Sequence, residues 1–235
     1  MSGLIEKITL YDLLGYALPG SILLGMISFT AMMIQGNMKS LYDMYKDAVG
    51  YFFIVLLILG YVAGMLMAEI TDRIKNLFSE SLRADMSQYL RDHRVNYSQV
   101  GQALMNAGYV EKKEEIQSAE DVLKYLSGMY GDIQSDAKYN RLHNYASAKL
   151  ICKNMAFVSI SGILLSIIYL LFTWDFSKEM LYNLVQALVP AVVMIVLFLY
   201  AADLFKSRWE KMFQKTNFYT VIWFVEKYQG KVEKE

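Results

Sequence analysis

The densest set of side chains able to bind something lies within residues 139–145, where Tyr139, Arg141, His143, Asn144 and Tyr145 crowd together. The guanidinium of Arg141 can hold a phosphate or carboxylate with two parallel hydrogen bonds, which a lysine cannot reproduce. The tyrosines and His143 could stack on a planar ligand, and Asn144 could hydrogen-bond one. The same composition would also suit the interfacial belt of a membrane helix. Asp12, Glu69 and Asp203 form a second set, each at the end of an apolar run. Carboxylates at membrane depth are costly and face a cation, a cavity or the bundle interior. Pairing with Arg73, Lys149, Lys153 or Lys206 is the expectation, and a collar around a cation path is the sharper alternative.

Other chemistry is thinly represented. His93 and His143 are far apart and have no cysteine or histidine companion at metal-binding spacing, so no metal site is expected. The chain contains no H-E-x-x-H, G-x-S-x-G, P-loop or G-x-G-x-x-G motif. Cys152 is the only cysteine, which excludes an intramolecular disulfide, and it has no neighbouring base to make it a nucleophile. The expectation is a non-enzymatic protein without a cofactor.

The elements that must position these residues are four apolar runs, Leu10–Gln35, Val49–Ala68, Met155–Trp174 and Leu181–Leu204, in a chain that is 55% hydrophobic. Each has about the ~20 residues that a helix needs to cross a ~30 Å hydrocarbon core. Runs of that length read as membrane helices, because in lipid every backbone polar group must be paired within the segment. The fold class expected is all-α: a polytopic membrane protein with four transmembrane helices and a small helical cytosolic domain. Its parts are a first hairpin (1–69), a helical domain with stalk helices (70–154), a second hairpin (155–204) and a tail (205–235).

Basic residues orient it. Of the 23 lysines and arginines, only Lys39, Lys46 and Lys178 fall in the connections Gly36–Ala48 and Asp175–Met180. Cytoplasmic segments carry the basic excess, which puts both termini and the central segment in the cytoplasm. The first residues, with Glu6 against Lys7, do not read as a secretory signal. Acidic residues match basic ones at 23 each, leaving no polybasic arm for nucleic acid or anionic lipid.

Within 70–154 the spacing is helical. Ile70, Ile74, Leu77, Phe78, Leu82, Met86, Tyr89 and Leu90 form one stripe on a helix continuing from the second run. Ser98 is placed to cap a helix ending at Gly108. Ser118 and Asp121 resemble a capping box, and Gly131 is placed to close the helix Ala119–Tyr130. Tyr139, Leu142, Ala146 and Leu150 lead into the third run. Phe218–Val225 is apolar on every side and too short to span, which leaves it an interface, the cytosolic domain or a neighbouring chain to pack against.

Gly60 and Gly64 have the spacing that lets two helix backbones meet, as do Gly162 with Ser166 and Ala187 with Ala191. Gly60 and Gly64 are therefore candidates for a homo-oligomer seam, with packing inside one chain as the alternative. Gly15, Pro19, Gly20 and Pro190 are candidate hinges or static kinks. Asn183 and Gln186 are polar positions on the face that carries Pro190.

The segment Ile8–Gly20, ITLYDLLGYALPG, followed by Gly60-Tyr61-Val62-Ala63-Gly64, resembles small bacterial membrane proteins of anti-phage defence. These are the membrane subunit of Kiwa-like systems and the transmembrane effectors of cyclic-oligonucleotide and type III CRISPR signalling. The resemblance covers the first hairpin only. It implies an oligomer in the bacterial inner membrane, acting as sensor or effector, whose cytosolic part takes a cyclic nucleotide or a soluble protein partner. It transfers no ligand-binding residue. A channel or transporter outside defence, or a passive anchor for a soluble protein, are the alternatives.

The topology is checked with single cysteines in a Cys152→Ser background. A membrane-impermeant thiol reagent should label position 37 in intact cells, and label a cysteine appended after Glu235 only once the membrane is opened.

Overall fold

A computed structural model describes residues 10–35, 38–77, 79–134, 136–175 and 179–229, without the side chains of 10–13, 38–53, 74–84, 137, 140 and 143. The described residues contain helices and no strand: α1 (Leu10–Gln35), α2 (Met38–Leu77), α3 (Ser79–Asp92), α4 (Tyr97–Asn106), α5 (Ala119–Gln134), α6 (Asn140–Thr173), α7 (Met180–Asn183) and α8 (Val189–Gln229). Short 3-10 turns at Lys113–Glu115 and Ala137–Tyr139 join them, and a π-helical turn, Leu184–Leu188, links α7 to α8. The chain divides into two compact units, Met1–Arg73 with Leu150–Trp209, and Ile74–Lys149 with Glu210–Glu235. Helices α2, α6 and α8 contribute residues to both.

The first unit holds the apolar runs. Four stretches, Leu14–Gln35, Ile54–Arg73, Asn144–Thr173 and Met180–Gln229, are helical, long and apolar enough to cross a membrane. Their outward faces carry Ile58, Leu66, Leu171, Phe172, Val196 and Leu197, all exposed. Water would penalise so much contiguous apolar surface and hydrocarbon would not. One expectation changes here: the connection read over Gly36–Ala48 is already helical from Met38, so α2 is much longer than the apolar run inside it.

The second unit has its own core of Met86, Leu90, Val100, Leu104, Val122, Met129, Ile133, Leu142, Val221 and Phe224, each almost wholly buried. Helix α4 is capped by Asn96, whose Oδ1 accepts from the Gln99 amide at 3.3 Å, and not by Ser98. The helix starts at Tyr97, two residues before a helix capped by Ser98 would begin, and Asn96 has the short acceptor an N-cap needs. At its other end Gly108 takes φ +80°, the Gly108 amide donates to Met105 O and the Tyr109 amide to Leu104 O. That double bond is the Schellman closure, and it requires the left-handed residue that glycine supplies.

The Ser118–Asp121 box forms as expected. The Asp121 amide donates to Ser118 Oγ at 3.3 Å and the Ser118 amide to Asp121 Oδ2 at 3.2 Å. Hydrogen bonds from Lys124 and Ser118 lower the Asp121 carboxyl to about 2. Its folded value lies below the ordinary carboxylate range, so the box is intact above that range and is lost only as pH falls through about 2. Gly131 does not end α5, which runs on to Gln134. Met129 and Ile133 on either side of that glycine are both fully buried, and their burial outweighs the ~1 kcal/mol that a mid-helix glycine costs.

The segment Phe218–Val225 is part of α8 and packs into this core, with Val221 and Phe224 fully buried. Tyr109 and Tyr228 both donate to Asp132 Oδ2, at 3.2 and 3.1 Å, and Lys227 Nζ donates to Asp132 O at 2.6 Å. These bonds fasten the end of α8 to α5. Phe224→Ala should destabilise the second unit by about 3–5 kcal/mol, whereas Ile222→Ala, at an exposed position, should stay within about 0.5 kcal/mol. Hydrogen exchange of the Val100–Leu104 amides in the full chain measures both.

Candidate functional site

Two prolines interrupt otherwise continuous backbone pairing in the first unit. Proline has no amide hydrogen, so the carbonyl four residues earlier loses its helical donor. For Pro19 that carbonyl is Gly15 O, and Asn154 Nδ2 donates to it at 2.9 Å. For Pro190 it is Gln186 O, and the Tyr169 hydroxyl donates to it at 2.9 Å. Both replacement donors come from α6. Asn154 is fully buried, and its Oδ1 has no hydrogen-bond partner among the described residues. The π-helical turn just before Pro190 belongs to the same accommodation, with the Val189 amide reaching back five residues to Leu184 O.

Around Asn154 the helices meet at backbone distance. A methyl group added at Gly20 would land on Gly60 O, one at Gly60 on Ser21 Oγ, and one at Gly64 on Tyr16 O. Ser21 Oγ donates to Leu56 O at 3.1 Å across the same seam, and Tyr16 and Tyr61 meet edge to face, 5.6 Å between centroids. Gly60 and Gly64 therefore close α1 on α2 within one chain, which is the packing given above as the alternative to a seam between copies. The candidate hinge is likewise held on several sides: Gly15 is pressed by Leu150, Gly15 O is bonded, and Pro19 and Gly20 are buried.

Next to Asn154, Lys153 is nearly buried and its Nζ pairs with Asp72 Oδ1 at 2.9 Å. A buried ammonium needs such a partner to remain charged. Asp72 is not among the carboxylates read from the sequence. Of those three, Glu69 pairs with Arg73 at 3.2 Å on an exposed face. Asp203 is exposed and makes no ion pair among the described residues, and the Asp12 side chain lies outside the description. Among the described residues no group of three or more His, Cys, Asp or Glu could hold a metal ion.

The cluster at residues 139–145 is divided between core and surface. Tyr139 is buried and stacks on Trp223 (5.7 Å), Trp223 on Tyr219 (5.1 Å), and Tyr219 on Tyr145 (5.3 Å, interplanar angle 5°). The two tyrosines are thus spent on a ladder of four rings between α8 and the stretch that runs from the 3-10 turn Ala137–Tyr139 into α6. Burial raises the Tyr139 hydroxyl above its ordinary pKa, and Lys138 seals this end by pairing with Glu226 at 2.7 Å. Arg141 and Asn144 are exposed, Arg141 makes no ion pair among the described residues, and the His143 side chain lies outside the description. Among the described members of the cluster, Arg141 and Asn144 are the ones left exposed to meet a ligand or partner.

The chain matches no protein-family model, no curated protein and no solved structure.

Asn183, read as a polar position inside the fourth run, is a loop clasp: its Oδ1 accepts from the Asp175 amide at 3.1 Å and its Nδ2 donates to Asp175 O at 2.7 Å. Sequence reasoning passed over Asn154 and Tyr169. The available signal was that any buried proline strands a carbonyl, so each proline calls for a polar side chain elsewhere at matching depth. Asn154→Leu should destabilise the protein by about 1–3 kcal/mol, since it strands Gly15 O in a buried place. In a Pro19→Ala background, where residue 19 donates again, the same substitution should cost clearly less. Detergent-solution unfolding of the four proteins in this cycle measures the difference.

Proposed function

We propose that this protein is a non-enzymatic, oligomeric sensor or effector of the bacterial inner membrane, acting in anti-phage defence. In this reading the second unit is cytosolic and takes a cyclic nucleotide or a soluble protein partner at the face carrying Arg141 and Asn144. Binding there favours one packing of the membrane helices, and the response is rearrangement or permeabilisation of the membrane. The observation that carries it is the sharing of α2, α6 and α8 between a unit of membrane-length apolar helices and a unit with its own apolar core. Helices common to both give a bound ligand a mechanical route to the membrane. The defence assignment is supported only by the resemblance of Ile8–Gly20 with Gly60–Gly64.

The test is expression in bacterial cells with a potential-sensitive dye, with and without phage challenge. The native chain should depolarise the membrane on challenge and lower the phage yield. Arg141→Ala should insert and assemble normally and lose both effects, with Arg141→Lys close to it, because a lysine cannot form the two-pronged contact. Full activity in both variants would remove this face from the mechanism. A native chain that neither protects nor depolarises would overturn the proposal.

A further inference from the structure

The first unit encloses a cavity of about 220 Å³ between α1, α6 and α8. Met26, Met33, Ser166, Tyr169, Pro190 and Met194 are among its walls. Phe29 and Met194 also line it while remaining 47% and 40% exposed, so the cavity opens sideways past them to the outside of the helices. That outside is formed by Ile27, Val193 and Leu197, all exposed and apolar.

We infer that this cavity is a binding site for one acyl chain of a membrane phospholipid. The inference rests on the proposed membrane location. Volume permits a segment of such a chain, because an apolar protein cavity of about 150 Å³ already accepts benzene. Chemistry favours it as well. The Ser166 hydroxyl donates to Gly162 O at 2.8 Å and the Tyr169 hydroxyl to Gln186 O, which leaves Thr30, in an otherwise apolar lining, as the one wall hydroxyl not engaged among the described residues. Methionine walls adapt to an irregular, mobile occupant. Between helices already in hydrocarbon there is no hydrophobic force to draw in a side chain of a second copy, whereas acyl chains are the solvent at the opening. An alkyl chain inside would rest against Pro190 and Tyr169, the place where the helix ladder departs from regularity. The lipid would then act as a wedge that supports the π-helical turn.

The full chain would be reconstituted in phosphatidylcholine vesicles containing a phospholipid with a photoactivatable diazirine in one acyl chain, and labelled residues mapped by mass spectrometry. Met26 and Met33, which are partly buried, should be labelled more than Ile27, their more exposed neighbour. Ala191→Leu and, independently, Thr30→Leu should fill the cavity and abolish the labels at Met26 and Met33, leaving that at Leu197 unchanged. Labels confined to Ile27 and Leu197 would show an unvisited cavity and overturn the inference while leaving the membrane reading intact. No label at any of these positions would overturn the membrane reading and the inference with it. Shielding of Met33 together with crosslinking between copies through a cysteine at position 29 would mean that a second copy fills the space, which also overturns the inference.

Discussion

A helix that carries proline must find a donor for the carbonyl that proline abandons, and the first unit is organised around that requirement. Asn154 reaches Gly15 O from a fully buried position. To do so α6 has to lie close to α1 at this depth, which brings Leu150 against Gly15 and places Lys153 beside the end of α2. The Lys153–Asp72 pair, the glycine seam of α1 with α2, and the amide of Asn154 are consequently neighbours along the same helices. None of them is a decoration on an otherwise independent bundle. In hydrocarbon an unpaired carbonyl has no water to turn to, so the constraint would be tighter there.

The second unit is held by a different kind of force. Its helices are short, and a core assembled from Met86, Leu104, Val122, Ile133 and Phe224 supplies the burial that short helices lack on their own. Polar contacts then set the register: Asp132 collects two tyrosine hydroxyls and a lysine through its carboxylate and its carbonyl. Glu120 takes the Ser87 hydroxyl and Arg91. The ring ladder through Tyr139, Trp223, Tyr219 and Tyr145 does the same work between α8 and the start of α6 with the turn before it, with stacked faces.

The helical class and the four membrane-length segments were legible because hydrophobic runs and periodicity are local properties. So was the Ser118–Asp121 box, whose partners are three residues apart. What was not legible depends on contacts between distant positions. Gly131 has the form of a helix stop, but buried Met129 and Ile133 carry α5 past it. The tyrosines at 139 and 145 have the composition of a ligand site, and their use is decided by Trp223 and Tyr219, about eighty residues later in the chain. Asn154 and Gly15 are 139 positions apart, and no pattern in either neighbourhood announces the other.

The placement of Val221 and Phe224 has a consequence for biosynthesis. The ribosome delivers residues 74–149 early, and the two side chains that complete their core arrive only with the end of α8. Until then Met86, Leu104 and Ile133 belong to a half-built core with an open apolar side. Such an intermediate is the form most exposed to chaperones and proteases. The nascent chain must therefore be protected through the synthesis of two further apolar helices, and a premature stop near Trp209 would release a product that keeps the apolar run Leu181–Leu204 but has an unfinished second unit. Quality control, rather than lost activity, would be the first process to register such a truncation.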